Sequence, residues 1–277
     1  MNKFYIDEII KTAIDEDVNY LDISSEYIFA PEHRSEAYFL AKADGVLSGI
    51  DVAMRVFELL DDTFECTVHK RDGEKIKKGD VIAEFSGSTA ALLKGERTAL
   101  NLIQHMSGIA TAANRAAKAV EGTKVSIADT RKTLPGLRAL QKYAVTCGGG
   151  KNHRFNLSDA AMLKDNHIDA AGGITAAVTA LRKKCGHMVN IEVETRNLDE
   201  VKEALAAGAS IIMLDNMTNE EMSEAVKLVD GRALLEASGN ITEENLREKA
   251  ETGVDIISMG ALTHSVKAFD ISMKFKK

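Results

Sequence analysis

One segment of the chain concentrates positive charge. Residues 130–164 carry seven lysines and arginines against one acid, Asp159, so their net charge is about +6. The whole protein has a net charge of −7, which leaves about −13 on the remaining residues. Clustered positive charges repel one another, and binding of a strongly anionic small ligand usually compensates for that repulsion. We therefore identify this segment as the candidate active site, with the basic residues Arg131, Lys132, Arg138, Lys142, Lys151, Arg154 and Lys164.

These seven cations do not have equal claims to a ligand. Lys164 closes an apolar segment, where a charge without a functional partner would be costly. We expect ligand binding for Lys164 and for Arg131, Lys132 and Arg154. For the other three, a solvated face remains an equal alternative. His153 and the run Gly148-Gly149-Gly150 lie in the same segment, and glycines allow backbone N–H groups to approach a ligand closely.

Composition excludes several functional classes. The chain has 277 residues, 45% of them hydrophobic and 28% charged, as in ordinary globular proteins. Its three cysteines, Cys66, Cys147 and Cys185, are scattered, which argues against disulfides or a zinc site and for the reducing cytoplasm. No apolar run is long enough to span a membrane, and the first residues lack a signal-peptide profile. Net acidity and the absence of tryptophan disfavour nucleic-acid binding.

The elements that must position these residues repeat along the second half of the chain. Apolar, β-branched segments separated by amphipathic stretches predict a buried parallel sheet with intervening helices. The segments span residues 125–130, 160–164, 189–194, 210–215, 233–238 and 255–260. Their regular spacing favours a closed α/β barrel, although an open sheet stays possible on periodicity alone. Six strands, where a full barrel has eight, predict a shortened (β/α) barrel.

The first hundred residues predict a mixed α+β domain. Residues 2–14 and 51–60 have helical patterns, and residues 70–86 predict strands joined by tight turns, including a hairpin at Lys78-Gly79-Asp80. Residues 96–119 predict one or two helices, with Gly108 as the candidate break. We place the N-terminal domain at residues 1–106 and the barrel at residues 107–265.

Reacting groups in barrel enzymes follow the carboxyl ends of the strands. Here cations follow the early strands, and the carboxylates Glu194 and Asp215 end the middle ones. The last two strands end in small turns, Ser238-Gly239-Asn240 and Met259-Gly260-Ala261, of the kind that binds phosphate. The predicted ligand is an organic polyanion with a phosphate at one end. Glu194 and Asp215 would accept sugar hydroxyls, directly or through a hydrated Mg²⁺, or else pair structurally with Lys164.

The histidines do not predict a zinc site. His153, His167 and His264 lack the spacing of zinc ligands. For His167 and His264, a place in the core and a place in the site remain equal alternatives.

Ordered motifs over residues 90–270 resemble the quinolinate phosphoribosyltransferase family. They are Glu96-Arg97-Thr98-Ala99-Leu100-Asn101, Asp129-Thr130-Arg131-Lys132-Thr133-Leu134-Pro135-Gly136-Leu137-Arg138, Gly148-Gly149-Gly150-x-x-His153-Arg154-x-x-Leu157-x-Asp159, Lys164-Asp165-Asn166-His167, Ile191-Glu192-Val193-Glu194, Met213-Leu214-Asp215-Asn216-Met217, Glu236-Ala237-Ser238-Gly239-Asn240 and Gly260-Ala261-Leu262-Thr263-His264-Ser265. The resemblance implies that quinolinate and phosphoribosyl pyrophosphate give nicotinate mononucleotide, pyrophosphate and CO₂, with Mg²⁺. It also implies a homodimer in which Arg97 enters the partner's site, and a tail, residues 266–277, that returns to the N-terminal domain.

The resemblance also implies residue roles. Arg131, Arg154, Lys164 and His153, with Arg97 of the partner subunit, would bind quinolinate, since guanidinium groups suit carboxylates. Lys132, Glu194 and Asp215 would be the catalytic residues: Lys132 would contact pyrophosphate, while Glu194 and Asp215 would hold ribose hydroxyls and the metal. The turns at 238–240 and 259–261 would take the 5-phosphate. The remaining candidates for substrate binding are Thr130 and His264.

Three other functions remain as alternatives. A related phosphoribosyltransferase would act on another heterocyclic carboxylate without decarboxylation. A catalytically silent sensor would bind phosphorylated sugars without releasing pyrophosphate. A barrel aldolase or isomerase would use Lys164 as a Schiff-base nucleophile, which would leave the arginines without a role.

Overall fold

The computed structural model describes residues 2–277 and resolves them into two compact units. Unit 1 contains the described residues up to Asn114, together with Leu134–Gly149 and Ser265–Lys277. Unit 2 contains Arg115–Thr133 and Gly150–His264. The predicted boundary at residue 106 lies inside one long helix, and the division at that residue stays a prediction.

The elements alternate regularly only in the second half of the chain. The helices are α1 (Lys3–Asp17), α2 (Ile23–Ile28), α3 (Ile50–Leu60), α4 (Thr89–Ala119), α5 (Arg138–Cys147), α6 (Asp165–Ala171), α7 (Ile174–Arg182), α8 (Leu198–Ala206), α9 (Asn219–Val229), α10 (Leu246–Glu251) and α11 (Ala261–His264). The strands are β1 (Arg34–Ala41), β2 (Gly45–Val46), β3 (Glu65–Val68), β4 (Lys75–Ile76), β5 (Val81–Ser88), β6 (Ser126–Ala128), β7 (Ala161–Leu163), β8 (Ile191–Thr195), β9 (Ile211–Asp215), β10 (Leu234–Ser238), β11 (Ile256–Ser258) and β12 (Ile271–Phe275).

Unit 2 is built on a six-stranded parallel sheet in the order β6-β11-β10-β9-β8-β7. Each of the six predicted segments coincides with one of these strands, with β8 running one residue past its segment, so the shortened barrel architecture is confirmed. Strands β8 and β9 are almost wholly buried, because helices and the barrel interior cover both faces. Beyond β6, a parallel bridge joins Ala128 to Lys151, so residues near 151 continue that edge.

Local signals fix the ends of the barrel helices. Asn197 caps α8 by accepting hydrogen bonds from the backbone N–H groups of Asp199 and Glu200. Gly208 follows that helix with a left-handed φ of 84°. Helix α10 begins at Leu246, after residues 242–245 form a turn in which Thr242 N–H donates to Asn245 Oδ1.

Unit 1 contains a four-stranded antiparallel sheet in the order β12-β1-β5-β3. Phenylalanines pack between this sheet and α3, with Phe57 and Phe85 stacked at a 5.1 Å centroid separation. The tail strand β12 pairs with β1, which places residues 271–275 in the N-terminal sheet.

One expectation for unit 1 is wrong, and for residues 96–119 the alternative of a single helix is confirmed. The turn at Gly79 does not make a hairpin between β4 and β5, because β4 pairs with β2 while β5 lies between β1 and β3. Helix α4 is unbroken at Gly108. A Cβ at this position would lie 2.3 Å from the carbonyl oxygen of Lys267, so the glycine serves the close approach of the tail.

Within residues 2–277, none of the helices combines the length and the apolar character that crossing a bilayer requires.

Candidate active site

A cavity of about 590 Å³ opens at the carboxyl ends of the barrel strands. Its lining combines basic side chains from the early strands with carboxylates from the middle ones. It consists of Thr130, Arg131, Lys132, His153, Arg154, Met162, Lys164, Glu194, Met213, Asp215, Asn216, Glu236, Ser238, Gly239, Asn240 and Ser258. Eleven of these were predicted from the sequence as site residues, and the structure brings them together: Thr130, Arg131, Lys132, His153, Arg154, Lys164, Glu194, Asp215, Ser238, Gly239 and Asn240.

The loop after β6 positions Lys132. The backbone N–H of Lys132 donates to Thr130 Oγ1 at 3.0 Å, and its carbonyl accepts from Thr263 Oγ1 at 2.8 Å. A Cβ at Gly260 would lie 2.9 Å from Lys132 Cδ. The stem of Lys132 therefore rests against a glycine, and a larger residue there would displace it.

A buried carboxylate organises the loop that carries His153 and Arg154. Asp129 is fully buried and accepts from the backbone N–H of His153 at 2.9 Å and from Asn152 Nδ2 at 2.6 Å. Arg154 Nη1 donates to the carbonyl of Ala160 at 2.9 Å. Burial, with the positive charge of Arg131 adding to it, lowers the pKa of Arg154 from its ordinary value. A guanidinium stays charged even so, which leaves a half-buried cation that favours an anionic ligand.

The carboxylates at the ends of β8 and β9 have different partners. Glu194 Oε2 lies 3.2 Å from Lys164 Nζ, which is the contact that the alternative of a structural pair with Lys164 requires. The Lys164 side chain is half exposed, which reduces the cost of its charge. Asp215 Oδ2 accepts from Asn216 Nδ2 at 2.8 Å. Both carboxylates line the cavity.

The turn after β10 is rigid. Gly239 and Asn240 have left-handed φ angles of 90° and 50°, and Asn240 Nδ2 donates to Asn216 Oδ1 at 2.9 Å. A Cβ at Gly239 would lie 2.2 Å from that same oxygen, so only glycine fits. The turn is thus held against the neighbouring strand end, as a preformed ligand site requires.

Other predicted residues lie outside this cavity lining. Met259, Gly260 and Ala261 lead into α11, and His264 contacts Gly260 from the end of that helix. His167 is exposed, and its Nδ1 accepts from the backbone N–H of Lys164 at the start of α6.

Several basic residues of the charged segment are not among the lining residues of this cavity. Arg138 and the fully buried Lys142 belong to α5, in unit 1, where Arg97 also lies, exposed on α4. The position of Gly148 has a packing reason, since a Cβ there would lie 2.3 Å from the carbonyl oxygen of Ala110. Lys151 lines a second cavity of unit 2.

Sequence reasoning missed an acidic layer beneath the mouth. Glu192 and Glu236 are 3% and 1% exposed, and His153 Nε2 lies 2.9 Å from Glu192 Oε2 and 3.7 Å from Glu236 Oε1. Burial raises the pKa of Glu236 to about 7; the charge of Glu192 adds to the rise and His153 opposes it. The signal that could have revealed these two residues is the presence of a single acid inside a predicted apolar strand, which the sequence does show at Glu192 and Glu236.

These three side chains have the donor types of a metal site. One nitrogen or oxygen of each lies within 4.8 Å of the others. The guanidinium groups of Arg131 and Arg154 line the adjacent cavity, and their charge disfavours a divalent cation there.

Comparisons with known proteins agree over the whole chain. The family models described as the N-terminal and C-terminal domains of quinolinate phosphoribosyl transferase match residues 22–107 and 109–274. A Bacillus subtilis relative, named probable nicotinate-nucleotide pyrophosphorylase [carboxylating], is 47% identical over 99% of this chain and 94% of its own. A Synechocystis relative of the same name is 44% identical over 97% and 92%. The crystal structure of NadC from Streptococcus pyogenes is 42% identical, with a TM-score of 0.96 over 100% of this chain and 99% of that one.

Proposed function

The chain belongs to the quinolinate phosphoribosyltransferase family, and we propose that its barrel mouth is where quinolinate and phosphoribosyl pyrophosphate react. The protein is a pentosyltransferase of NAD biosynthesis that forms nicotinate mononucleotide, pyrophosphate and CO₂. The observation that carries the site assignment is the lining of one cavity by two arginines, two lysines and the carboxylates Glu194 and Asp215. Both substrates are polyanions, and the first attacks the ribose of the second.

The cations account for recognition of the pyridine diacid. Arg131 and Arg154 present planar guanidinium groups, which bind carboxylates through paired hydrogen bonds. Lys164 adds positive charge, and His153 also lines the cavity. Asp129 fixes the backbone of the His153 loop, so the side chains of this loop are in position before the substrate binds.

The phosphoribosyl substrate extends across the rest of the mouth. The rigid turn at residues 238–240 would take the 5-phosphate, and Lys132 would contact the pyrophosphate. Gly260 supports the stem of Lys132, which gives the turn at residues 259–261 a positioning role beside its predicted phosphate contact. Thr130 and His264 flank these groups and complete the proposed binding set.

Glu194 and Asp215 suit both ribose hydroxyls and Mg²⁺. Carboxylates that remain partly open to solvent match the preference of Mg²⁺ for oxygen ligands and retained waters. The two residues would hold the ion, which supplies charge neutralisation for departing pyrophosphate when bound. Their own negative charge stabilises the positive charge that builds at the anomeric carbon.

The order of events follows from the chemistry of the substrates. The pyridine nitrogen attacks the anomeric carbon as the bond to pyrophosphate breaks. The nitrogen then carries a positive charge, which stabilises the electron pair left on the adjacent carbon when CO₂ departs. No side chain is needed as a nucleophile, and positioning with charge stabilisation supplies most of the catalysis.

The assembly and the location are part of the proposal. We infer a homodimer in which Arg97, exposed on α4, completes the quinolinate site of the partner subunit. We also infer a cytoplasmic location, which three free cysteines support.

An assay for products tests the function. Purified protein is supplied with phosphoribosyl pyrophosphate, Mg²⁺ and quinolinate labelled in the carboxyl groups, and labelled CO₂, pyrophosphate and nicotinate mononucleotide are measured. We expect all three in equal amounts. Pyrophosphate without CO₂ would instead support the related transferase that does not decarboxylate. A borohydride-trapped adduct on Lys164 would support the Schiff-base alternative.

A further inference from the structure

A second cavity of unit 2 lies at the opposite ends of the barrel strands. Its volume is about 470 Å³, and its lining includes residues where strands begin, such as Ile211 and Leu234. His153, Arg154 and Glu236 line both this lower cavity and the mouth. These three side chains are therefore the wall between the two spaces.

The wall contains two titratable side chains, His153 and Glu236, that lie close to each other. His153 Nε2 lies 2.9 Å from Glu192 Oε2, while Glu236 Oε1 lies 3.7 Å away and has no hydrogen-bond partner among the described residues. Glu236 is 1% exposed, and an unsatisfied buried carboxyl oxygen is costly unless it has a use.

We propose that Glu236 and His153 relay a proton from water in the lower cavity to the pyridine ring in the mouth. The proposal rests on the proposed function, because the decarboxylation consumes one proton per turnover. When the bond to CO₂ breaks, its electron pair stays on the ring carbon. That pair forms a C–H bond with the Nε2 proton of the His153 imidazolium, and the N–H electron pair remains on Nε2. The Glu236 carboxyl then returns a proton to Nε2, and the resulting carboxylate takes a proton from water, which leaves a hydroxide ion that the solvent neutralises.

The charges around the pair support this direction of transfer. The charged groups that act on Glu236 besides His153 are Glu192 on β8 and Asp129 after β6. The guanidinium group of Arg154 belongs to the same wall and interacts with the charges of Glu192 and Arg131. Glu192 is the hydrogen-bond partner that orients the ring. Burial keeps the pKa of Glu236 raised to about 7, so a proton is held there near neutral pH. A separation of 3.7 Å is longer than a hydrogen bond, so transfer requires the carboxyl group to turn toward the ring.

The test uses the full-length protein carrying Glu236→Gln, which keeps the size of the side chain but cannot exchange a carboxyl proton. A general acid contributes about 100-fold or more, so we expect CO₂ release to fall about 100-fold. The KM for phosphoribosyl pyrophosphate should change less than about twofold, since the turn at 238–240 is intact. The wild-type rate should decline above about pH 7, and the variant should lack that decline.

Chemical rescue separates a proton relay from a structural role. In Glu236→Ala, formate can enter the vacated space from the lower cavity, and we expect it to restore CO₂ release where chloride at equal ionic strength does not. The matched control is Glu203→Gln, an exposed acid on α8 that binds Thr175. This control should behave as wild type.

The outcomes distinguish the two proposals. If wild type and Glu203→Gln form no nicotinate mononucleotide, the proposed function is wrong. If they do, and Glu236→Gln keeps the wild-type rate and pH profile, the relay is wrong. A slower Glu236→Gln that keeps the wild-type pH profile, together with a Glu236→Ala that formate does not restore, would also overturn it.

Discussion

The substitution Gly239→Ala tests whether the rigid turn holds the 5-phosphate. Gly239 has a φ of 90°, and the added Cβ would lie 2.2 Å from Asn216 Oδ1. The left-handed conformation costs an L-residue about 1–2 kcal/mol. Moving Asn216 breaks its hydrogen bond from Asn240 Nδ2, which adds about 1 kcal/mol. The free energy of unfolding should therefore fall by about 2–3 kcal/mol.

The effect on binding follows from the same contact. We expect the displaced turn to bind the 5-phosphate about 1.4 kcal/mol less tightly, which raises the KM for phosphoribosyl pyrophosphate about tenfold. The KM for quinolinate should stay within about twofold, because its proposed contacts come from other loops. Thermal unfolding and steady-state kinetics with each substrate varied in turn measure both effects.

Gly231→Ala is the matched control. Gly231 also has a left-handed φ, of 70°, but no atom lies within 4 Å of its Cβ position. It carries the conformational cost without the clash, so it should lose about 1–2 kcal/mol and keep the wild-type KM values. Equal effects of the two substitutions on stability and on KM would refute the reasoning.

Three further predictions concern a cation, an acid and a packing contact. Arg131→Ala should raise the KM for quinolinate at least about tenfold, and Arg131→Lys should recover little, because the paired hydrogen bonds are lost; kinetics of both variants would contradict this if lysine restored the KM. Glu236 has a raised pKa in the folded state, so the stability that its protonation contributes is present below about pH 4.5 and is lost as pH rises through about 7. Denaturant unfolding of wild type should therefore lose up to about 3 kcal/mol relative to Glu236→Gln over this range, and parallel pH curves would contradict the assignment. Gly108→Ala should cost about 1–3 kcal/mol and expose residues 266–277 to proteases, because its Cβ would lie 2.3 Å from Lys267 O; an unchanged melting temperature and unchanged proteolysis would contradict the proposed packing.

The barrel could be predicted because its strands are short and almost wholly apolar. A parallel strand buried on both faces needs such a run, and each of the six runs yielded a strand. The regular spacing then predicted which residues follow strand ends, and nine of the eleven predicted residues that line the cavity were found in this way. The other two, His153 and Arg154, came from the basic segment.

Neighbours in sequence were a poorer guide to neighbours in space. Arg138 and Lys142 are close along the chain to Arg131, yet α5 carries them in unit 1. From the sequence alone, Gly108 and Gly148 cannot be distinguished from glycines that serve turns or ligand-binding loops. Their actual reasons are the carbonyl groups of Lys267 and Ala110, which only the folded chain brings near.

The buried acids escaped prediction for a different reason. Glu192 and Glu236 each interrupt an apolar run by one residue, and such an interruption does not reveal what lies opposite. Only the register of the sheet, in which Met213 pairs with both Glu194 and Glu236, shows that Glu236 lies in the same row as Glu194, and that Glu192 lies on the same face two residues earlier along β8.

The central claim is that cations at the mouth of the barrel recognise a pyridine that carries two carboxylates. The most direct measurement is the ratio of kcat/KM for quinolinate to that for nicotinate, which lacks one of the two carboxylates. A site built to bind both groups should favour quinolinate by about 10⁴-fold, because the smaller acid leaves a buried cation unpaired. Equal values of kcat/KM for the two acids would contradict the account.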